Sequence, residues 1–262
     1  MKYEAEINGL MVNAYYSDKN IEEIFLPLLR MLTKMQLEKG KRLLVMLAAP
    51  PGAGKSTFVH FLKYLSEKEE DITPITTIGM DGFHHYQKYL ESHTMLRDGE
   101  EHLMKEYKGA PETFDFPLLR ERIRMVSEGK VCGWPEYYRI AHDPIDDAIQ
   151  VEGDIVFLEG NYLLLNWDGW KNLSDYADYT IKIVAKEDLL KERLVGRKAK
   201  SGISMEEAQR FVEKSDLYNV RTCIQDSKDA NLILKLRGNL RNGEQTEVAQ
   251  FVVESVEFLY NI

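Results

Sequence analysis

LLVMLAAPPGAGKSTF, from Leu43 to Phe58, joins an unbroken apolar run to a turn-rich loop and a helix-forming tail. Strand, glycine loop and helix in that order are the frame of a phosphate-binding loop, whose pattern is G-x-x-x-x-G-K-[ST]. Gly54, Lys55 and Ser56 supply the end of the pattern, while Ala49 stands where its first glycine belongs. Such a loop works because successive backbone N–H groups and a helix N-terminus point at phosphate oxygens, and a lysine neutralises the outer phosphates. Glycine is needed only where φ is positive or where a side chain would strike phosphate. Ala49 precedes Pro50, and a residue before proline is driven to extended, negative φ, which alanine accepts. Pro51 stiffens the entry further, and Gly52 and Gly54 remain at the positions that approach phosphate. The loop therefore reads as a working nucleotide site. Its cradle would be Pro51, Gly52, Ala53, Gly54, Lys55, Ser56 and Thr57, with Lys55 reaching the β- and γ-phosphates and the Ser56 hydroxyl a Mg²⁺ ion.

The 262 residues suffice for one large α/β domain with insertions, and 44% of them are hydrophobic. No apolar run reaches the length of a membrane span, and MKYEAEINGL lacks the basic start and apolar core of a signal peptide. A cytoplasmic location is expected, with Cys132 and Cys223, which form no CxxC or Cys/His cluster, as buried free thiols. The net charge of −9 argues against a nucleic-acid partner, since such proteins carry a basic face. It does not exclude a small anionic ligand. A homodimer is left open.

Outward from the loop, the chain alternates strands and helices. The weak alternation of Tyr3, Ala5, Ile7 and Leu10 around Asn8-Gly9 predicts a small N-terminal hairpin. Ile24, Leu28, Met31, Leu32 and Met35 predict a helix from about Asn20 to Glu38, ended by Gly40. Strands are expected at Arg42–Leu47, Ile72–Ile78, Asp154–Leu158, Tyr179–Val184 and Asn231–Leu236. Helices are expected from Lys55 to about Leu65 and at Phe116–Ser127, Lys186–Lys200 and Ser204–Ile224, the last with a Ser204/Glu207 capping box. Val248, Phe251, Val252, Val256 and Leu259 suggest a packing helix over Thr246–Leu259. The order implies right-handed crossovers and an α/β fold of the P-loop NTPase type, three layers α/β/α around a five-stranded, mainly parallel sheet. Residues 1–40 form an extension, 41–240 the main domain with a helical lid about 193–204, and 241–262 the closing helix of the same domain.

Phosphorylating a hydroxyl needs a carboxylate within reach of the attacking oxygen, beside the γ-phosphate. In a parallel sheet, ligands bind beyond the carboxyl ends of the strands. Asp81 lies just past the second strand and is the candidate base, with a cap on the turn before Gly82 as the alternative. Glu159 ends the apolar run Ile155–Leu158 and is the candidate Mg²⁺ ligand, with a plain turn residue as the alternative. Arg193 and Arg197 sit four apart on one helix face and, with Lys198, Lys200 and nearby Gly202, suit a lid over phosphates. A solvated basic helix end would look the same. His84 and His85 point in opposite directions on an extended loop and make a poor chelating pair, so His84 is read as hydrogen-bonding a substrate. Arg139 and His142, beside Asp143, suit a polar or anionic substrate. Trp134, Trp167 and Trp170 are read as packing residues.

Several segments resemble the family of uridine kinase, phosphoribulokinase and bacterial pantothenate kinase. Asp81-Gly82-Phe83 is similar to its aspartate, small residue and aromatic after the second strand. KGAPETFDFPLLRERI from Lys108 is similar to its K-G-x-P-E-[ST]-[YF]-D stretch, which carries Glu112 and Phe114 to the substrate side. PEYYRIAHDP, VFLEGNYLLLN, RLVGRKAKSG and SDLYN resemble the family's substrate segment, third strand, lid and post-lid helix, and the last places Asp216 and Asn219 near the nucleotide. The similarity spans Arg42 to Leu236 and looks closest to fructose-transport-associated, nucleoside/nucleotide-type kinases. One departure is Tyr138, where such relatives often carry an acidic residue. No N-K-x-D guanine motif or L-S-G-G-Q transporter signature occurs. The expectation is an ATP- and Mg²⁺-dependent kinase acting on a small-molecule hydroxyl, a sugar or sugar-like alcohol before a nucleoside or pantothenate-like compound. A P-loop ATPase regulating a protein partner is the alternative.

Overall fold

The computed structural model describes residues 1–7, 9–97, 99–237 and 249–256. A hairpin of β1 (Lys2–Ile7) and β2 (Leu10–Tyr15) precedes α1 (Asp18–Asn20), a π-helical turn (Ile21–Phe25) and α2 (Leu26–Lys39). Gly40, in the left-handed conformation with φ 66°, ends α2 as its sequence signals. Then come β3 (Leu43–Ala48), α3 (Lys55–Ser66), β4 (Ile75–Gly79), α4 (Gln87–Leu90), β5 (Thr94–Arg97) and β6 (Glu100–Leu103). The chain continues through α5 (Phe116–Ser127), β7 (Gly133–Tyr138), β8 (Asp143–Gln150), β9 (Ile155–Gly160) and β10 (Tyr179–Ala185). It closes with α6 (Glu187–Ala199), α7 (Met205–Phe211), a π turn (Val212–Asp216), α8 (Leu217–Gln225), β11 (Leu232–Arg237) and β12 (Gln250–Val256).

Strand order in the central sheet is β12-β11-β10-β3-β9-β4, with every pair parallel except β11–β12. β3 is apolar throughout and buried on both faces, as an interior parallel strand must be. Leu43, Val45 and Leu47 join a hydrophobic cluster with α2, α3 and α6, whereas Leu44, Met46 and Ala48 join a second one with α5. This alternation makes the sheet the middle of three layers.

Two expectations are corrected. The sheet has six strands among the described residues rather than five, and residues 250–256 of the expected closing helix form edge strand β12. Phe251 and Val253 face the core at period two, and Val252 and Val253 are β-branched, so the segment gains more by pairing with β11 than by coiling. Residues 246–248 and 257–259 of that expected helix lie outside the described residues. The expected N-terminal hairpin is present and longer, running on to Tyr15.

Candidate active site

The carboxyl ends of three adjacent strands supply the site. β3 runs into the P-loop, β9 ends at Glu159-Gly160, and β4 leads into a 3-10 turn, Met80–Phe83, that carries Asp81. Register fixes their levels, since Glu159 pairs with Leu47 on one side and Gly79 on the other. Adjacent parallel strands that end together leave a crevice, and the three functional segments meet in it.

Within the loop, Gly52 and Gly54 have φ of 84° and 81°. Gly52 needs its missing side chain as well, because a Cβ there would lie 3.1 Å from Leu194 Cγ and 3.2 Å from the Leu190 carbonyl oxygen. Ala49 is buried, donates its N–H to the Gly160 carbonyl at 3.2 Å, and is not among the non-glycine residues of positive φ. Ala49→Gly should accordingly change ATP affinity by less than about 1 kcal/mol, through loop entropy. Calorimetric titration with Mg·ATP checks this, and a tenfold gain in affinity would show that alanine harms the loop. Pro51 and Ala53 are buried; Pro51 has no N–H and can only shape the loop, while the Ala53 N–H donates to the Pro50 carbonyl at 3.2 Å. Gly52, Gly54, Lys55, Ser56 and Thr57 line a cavity of about 270 Å³ together with Arg139, Arg193 and Arg197.

The Ser56 hydroxyl donates to Glu159 Oε1 at 2.6 Å, while Glu159 Oε2 is buried with no partner among the described residues. Burial first, and the nearby Asp81 charge, push the Glu159 carboxyl above its ordinary range despite Lys55 and the Ser56 bond. A buried carboxylate with one lone oxygen beside a P-loop serine fits a Mg²⁺ ion. Magnesium keeps most of its waters and takes only one or two protein carboxylates plus phosphate oxygens. The described residues hold no cluster of three or more His, Cys, Asp or Glu that would suit a fully protein-ligated metal.

Burial also raises the Asp81 carboxyl, but Lys55 first, with Arg139 and Arg197, outweighs it and holds the group below its ordinary value. Arg139 Nη2 lies 4.0 Å from Asp81 Oδ2. Asp81 is therefore an ionised carboxylate among cations. Arg193 Nη1 donates to the Gly52 carbonyl at 3.4 Å. Burial lowers the Arg197 guanidinium pKa and Arg139 adds to the effect, with Asp216 and Asp81 acting against it. Asp216 is itself raised by burial and held back by Arg197 and Lys198. Asn219 is only 3% exposed, its Nδ2 lies 3.2 Å from where a Cβ on Gly109 would stand, and it does not line the P-loop cavity.

A second cavity, of about 350 Å³, runs from Ser56, Glu159 and Asp81 past Thr77 to Glu136 and Tyr137. His84 stacks on Phe114 with ring centroids 4.0 Å apart, and burial, against the pull of Asp81, lowers its pKa to about 4. It is a neutral imidazole whose Nδ1 is buried and unpartnered among the described residues. Burial and the Asp81 charge push Tyr137 up to about 12, so its phenol keeps its proton. Phe114 is buried and braces His84, while Glu112 is exposed and acts electrostatically on Tyr162. His142 stands apart, exposed at the β7–β8 turn with φ 56°, where its carbonyl accepts a bond from Lys108. Sequence reasoning missed Ile7, which lines both cavities, because nothing local shows where the hairpin lands. It also missed Tyr137, although the segment containing it was singled out.

Comparison with known proteins adds independent observations. Residues 44–237 match the model of the Phosphoribulokinase / Uridine kinase family. The uncharacterized protein YggC of Escherichia coli K12 is 40% identical over 237 residues, covering 90% of this chain and 96% of its own. The pantothenate kinase of Shewanella loihica is 27% identical over 220 residues, covering 74% of this chain and 67% of its own. Among solved structures, a Silicibacter sp. TM1040 protein assigned as a fructose transport system kinase superposes with a TM-score of 0.68 at 29% identity, covering 78% of this chain and 98% of its own. YFH7 of Saccharomyces cerevisiae, at 18% identity and a TM-score of 0.67 over 84% of this chain and 99% of its own, shares the fold.

Proposed function

The chain belongs to the Phosphoribulokinase / Uridine kinase family, whose kinases use ATP with Mg²⁺, and from that premise we propose that it phosphorylates a hydroxyl of a small polyhydroxylated metabolite. A sugar or sugar-like alcohol is the first choice of acceptor, a nucleoside or pantothenate-like compound the second. The observation that carries this reading is the pair of cavities meeting at Ser56, one lined by the P-loop and the other by Asp81 and Glu159. A switch that only hydrolysed nucleotide would have no use for the second cavity. Its volume of about 350 Å³ lies near the lower end of small-molecule sites. Thr77, Glu136, Tyr137 and Gln150 line it with groups that suit several hydroxyls. The fructose assignment of the Silicibacter protein favours the sugar.

In this reading the P-loop N–H groups and Lys55 bind the ATP phosphates, and Ser56 and Glu159 would hold Mg²⁺ and its waters. An ion held there would neutralise charge on the phosphates. Asp81, ionised and faced by Arg139, accepts the hydrogen bond of the attacking hydroxyl and takes its proton as the new O–P bond forms and the bond from the γ-phosphorus to the bridging oxygen breaks, releasing ADP. Arg193 and Arg197 meet the charge on the transferring group. Either arginine replaced by alanine should lower kcat by about 10- to 10³-fold while weakening ground-state ATP binding much less. Steady-state kinetics with calorimetry check this, and unchanged kinetics in both variants would make α6 ordinary surface.

The function itself is tested by ADP release from Mg·ATP across a panel of sugars, polyols, nucleosides and pantothenate. Turnover raised by one acceptor class is the expected result. Turnover raised only by a protein partner would replace the kinase by a regulator.

A further inference from the structure

The N-terminal hairpin lies outside the family match of 44–237, yet its tip reaches the reacting centre. Among the described residues lining the two cavities, only Ile7 and Ser56 line both. Ser56 belongs to the P-loop helix, so Ile7 is the one contribution to that junction from outside the kinase core. Strand alternation puts Tyr3, Ala5 and Ile7 of β1 and Val12 and Ala14 of β2 on one face of the hairpin. At the root, Tyr3 and Ala14 pack on the core cluster. At the tip, Ile7 is 6% exposed but belongs to neither hydrophobic cluster, and Val12 lines the phosphate cavity. An isoleucine that is buried, lies outside both hydrophobic clusters of the described residues and lines both cavities points to a use beyond stability.

The hairpin is tied at its root. The Met1 amine donates to the Tyr16 carbonyl at 2.7 Å, the Tyr3 hydroxyl donates to the His60 carbonyl of α3 at 3.2 Å, and Tyr16 stacks on Phe61 at 4.2 Å. Across the crevice, the position a Cβ would take on Gly9 is 3.5 Å from the Tyr138 ring and 3.8 Å from Ile140, on the β7–β8 hairpin that also carries Arg139. β1–β2 thus bridges from α3 to β7–β8.

We propose that Ile7, supported by Val12, is a positioning residue for phosphoryl transfer. It forms the apolar wall that keeps water from the γ-phosphate where the two cavities meet. The inference rests on the kinase reading. Water competes with the acceptor hydroxyl for the same phosphorus. Its attack breaks the bond from the γ-phosphorus to the bridging oxygen, forms an O–P bond to water, and yields ADP, inorganic phosphate and a proton. A wall that admits the acceptor but not bulk water suppresses this side reaction.

The test is phosphate release from Mg·ATP alone, with no acceptor, alongside calorimetric Kd for Mg·ATP and thermal melting. Ile7→Ala should raise phosphate release per bound ATP by about fivefold or more, since water then reaches the γ-phosphate. The Kd should stay within about twofold, because Ile7 offers no phosphate contact. Ile7→Leu, which restores bulk, should fall well below Ile7→Ala, and exposed Met11→Ala should match the parent protein. A merely structural Ile7 would lower the melting temperature without raising hydrolysis. Phosphate release at or below the parent level in folded Ile7→Ala, or in Ile7→Val should the alanine variant not fold, overturns the proposal. Failure of both to fold overturns it too, by making Ile7 a pillar of the fold. Failure of the kinase reading looks different: the parent protein then binds no Mg·ATP, or Lys55→Ala leaves its hydrolysis unchanged.

Discussion

Asp81→Asn is expected to lower acceptor-dependent turnover by about 10²- to 10⁴-fold, the range over which a positioned base acts. The variant keeps the shape of the side chain but cannot take the hydroxyl proton, and it leaves Arg139 without its ion-pair partner. Lys55, Ser56 and the Ser56–Glu159 bond are untouched, so Mg·ATP should still bind. The check is turnover with the best acceptor beside calorimetric Kd for Mg·ATP. Nucleotide binding lost as steeply as turnover would make Asp81 a metal or structural carboxylate. Glu159 would then be the next candidate for the base.

Gly82→Ala should cost about 3 kcal/mol or more, at the upper end of overpacking, and about 6–12 °C in melting temperature for a chain of this size. Gly82 does not have a positive φ, so the reason is space. A Cβ there would fall on the carbonyl carbon and oxygen of Pro135 and lie 3.0 Å from the Glu136 nitrogen. These are backbone atoms of β7 and cannot turn aside. The turn that carries Asp81 would have to lift away from β7, so activity should fall with stability. Calorimetric melting decides the matter, and an unchanged melting temperature would show that β7 can move.

The P-loop is legible because one contiguous stretch encodes strand, loop and helix, and because Pro50 alone settles the backbone at Ala49. Asp81 and Glu159 are legible for a related reason: a carboxylate at the end of an apolar run must emerge where parallel strands end. β12 is not. Val248, Phe251, Val252, Val256 and Leu259 suit a helix period, and only the open edge of β11 turns the segment into a strand. The hairpins β5–β6 and β7–β8 escape notice because they are small sheets outside the main one, and β6 reads EEHL with no apolar alternation. His142 looks like a ligand by its nearness to Arg139, but the turn at positive φ holds it at the exposed end of the hairpin. Asn219, placed near the nucleotide by resemblance, is buried beside Gly109. Ile7 is legible as a hairpin residue but not as a lining residue of the cavities, since that depends on where an N-terminal hairpin docks.

The central claim is that Asp81 and the P-loop serve one reaction, transfer of the γ-phosphoryl group to a hydroxyl. A single-turnover experiment with γ-³²P-labelled ATP, Mg²⁺ and the best acceptor measures it directly. With the parent protein the label should appear in the phosphorylated acceptor, and with Asp81→Asn it should remain in ATP on the same timescale. Label found only in inorganic phosphate, at the same rate with and without acceptor and with either residue at position 81, would contradict the account.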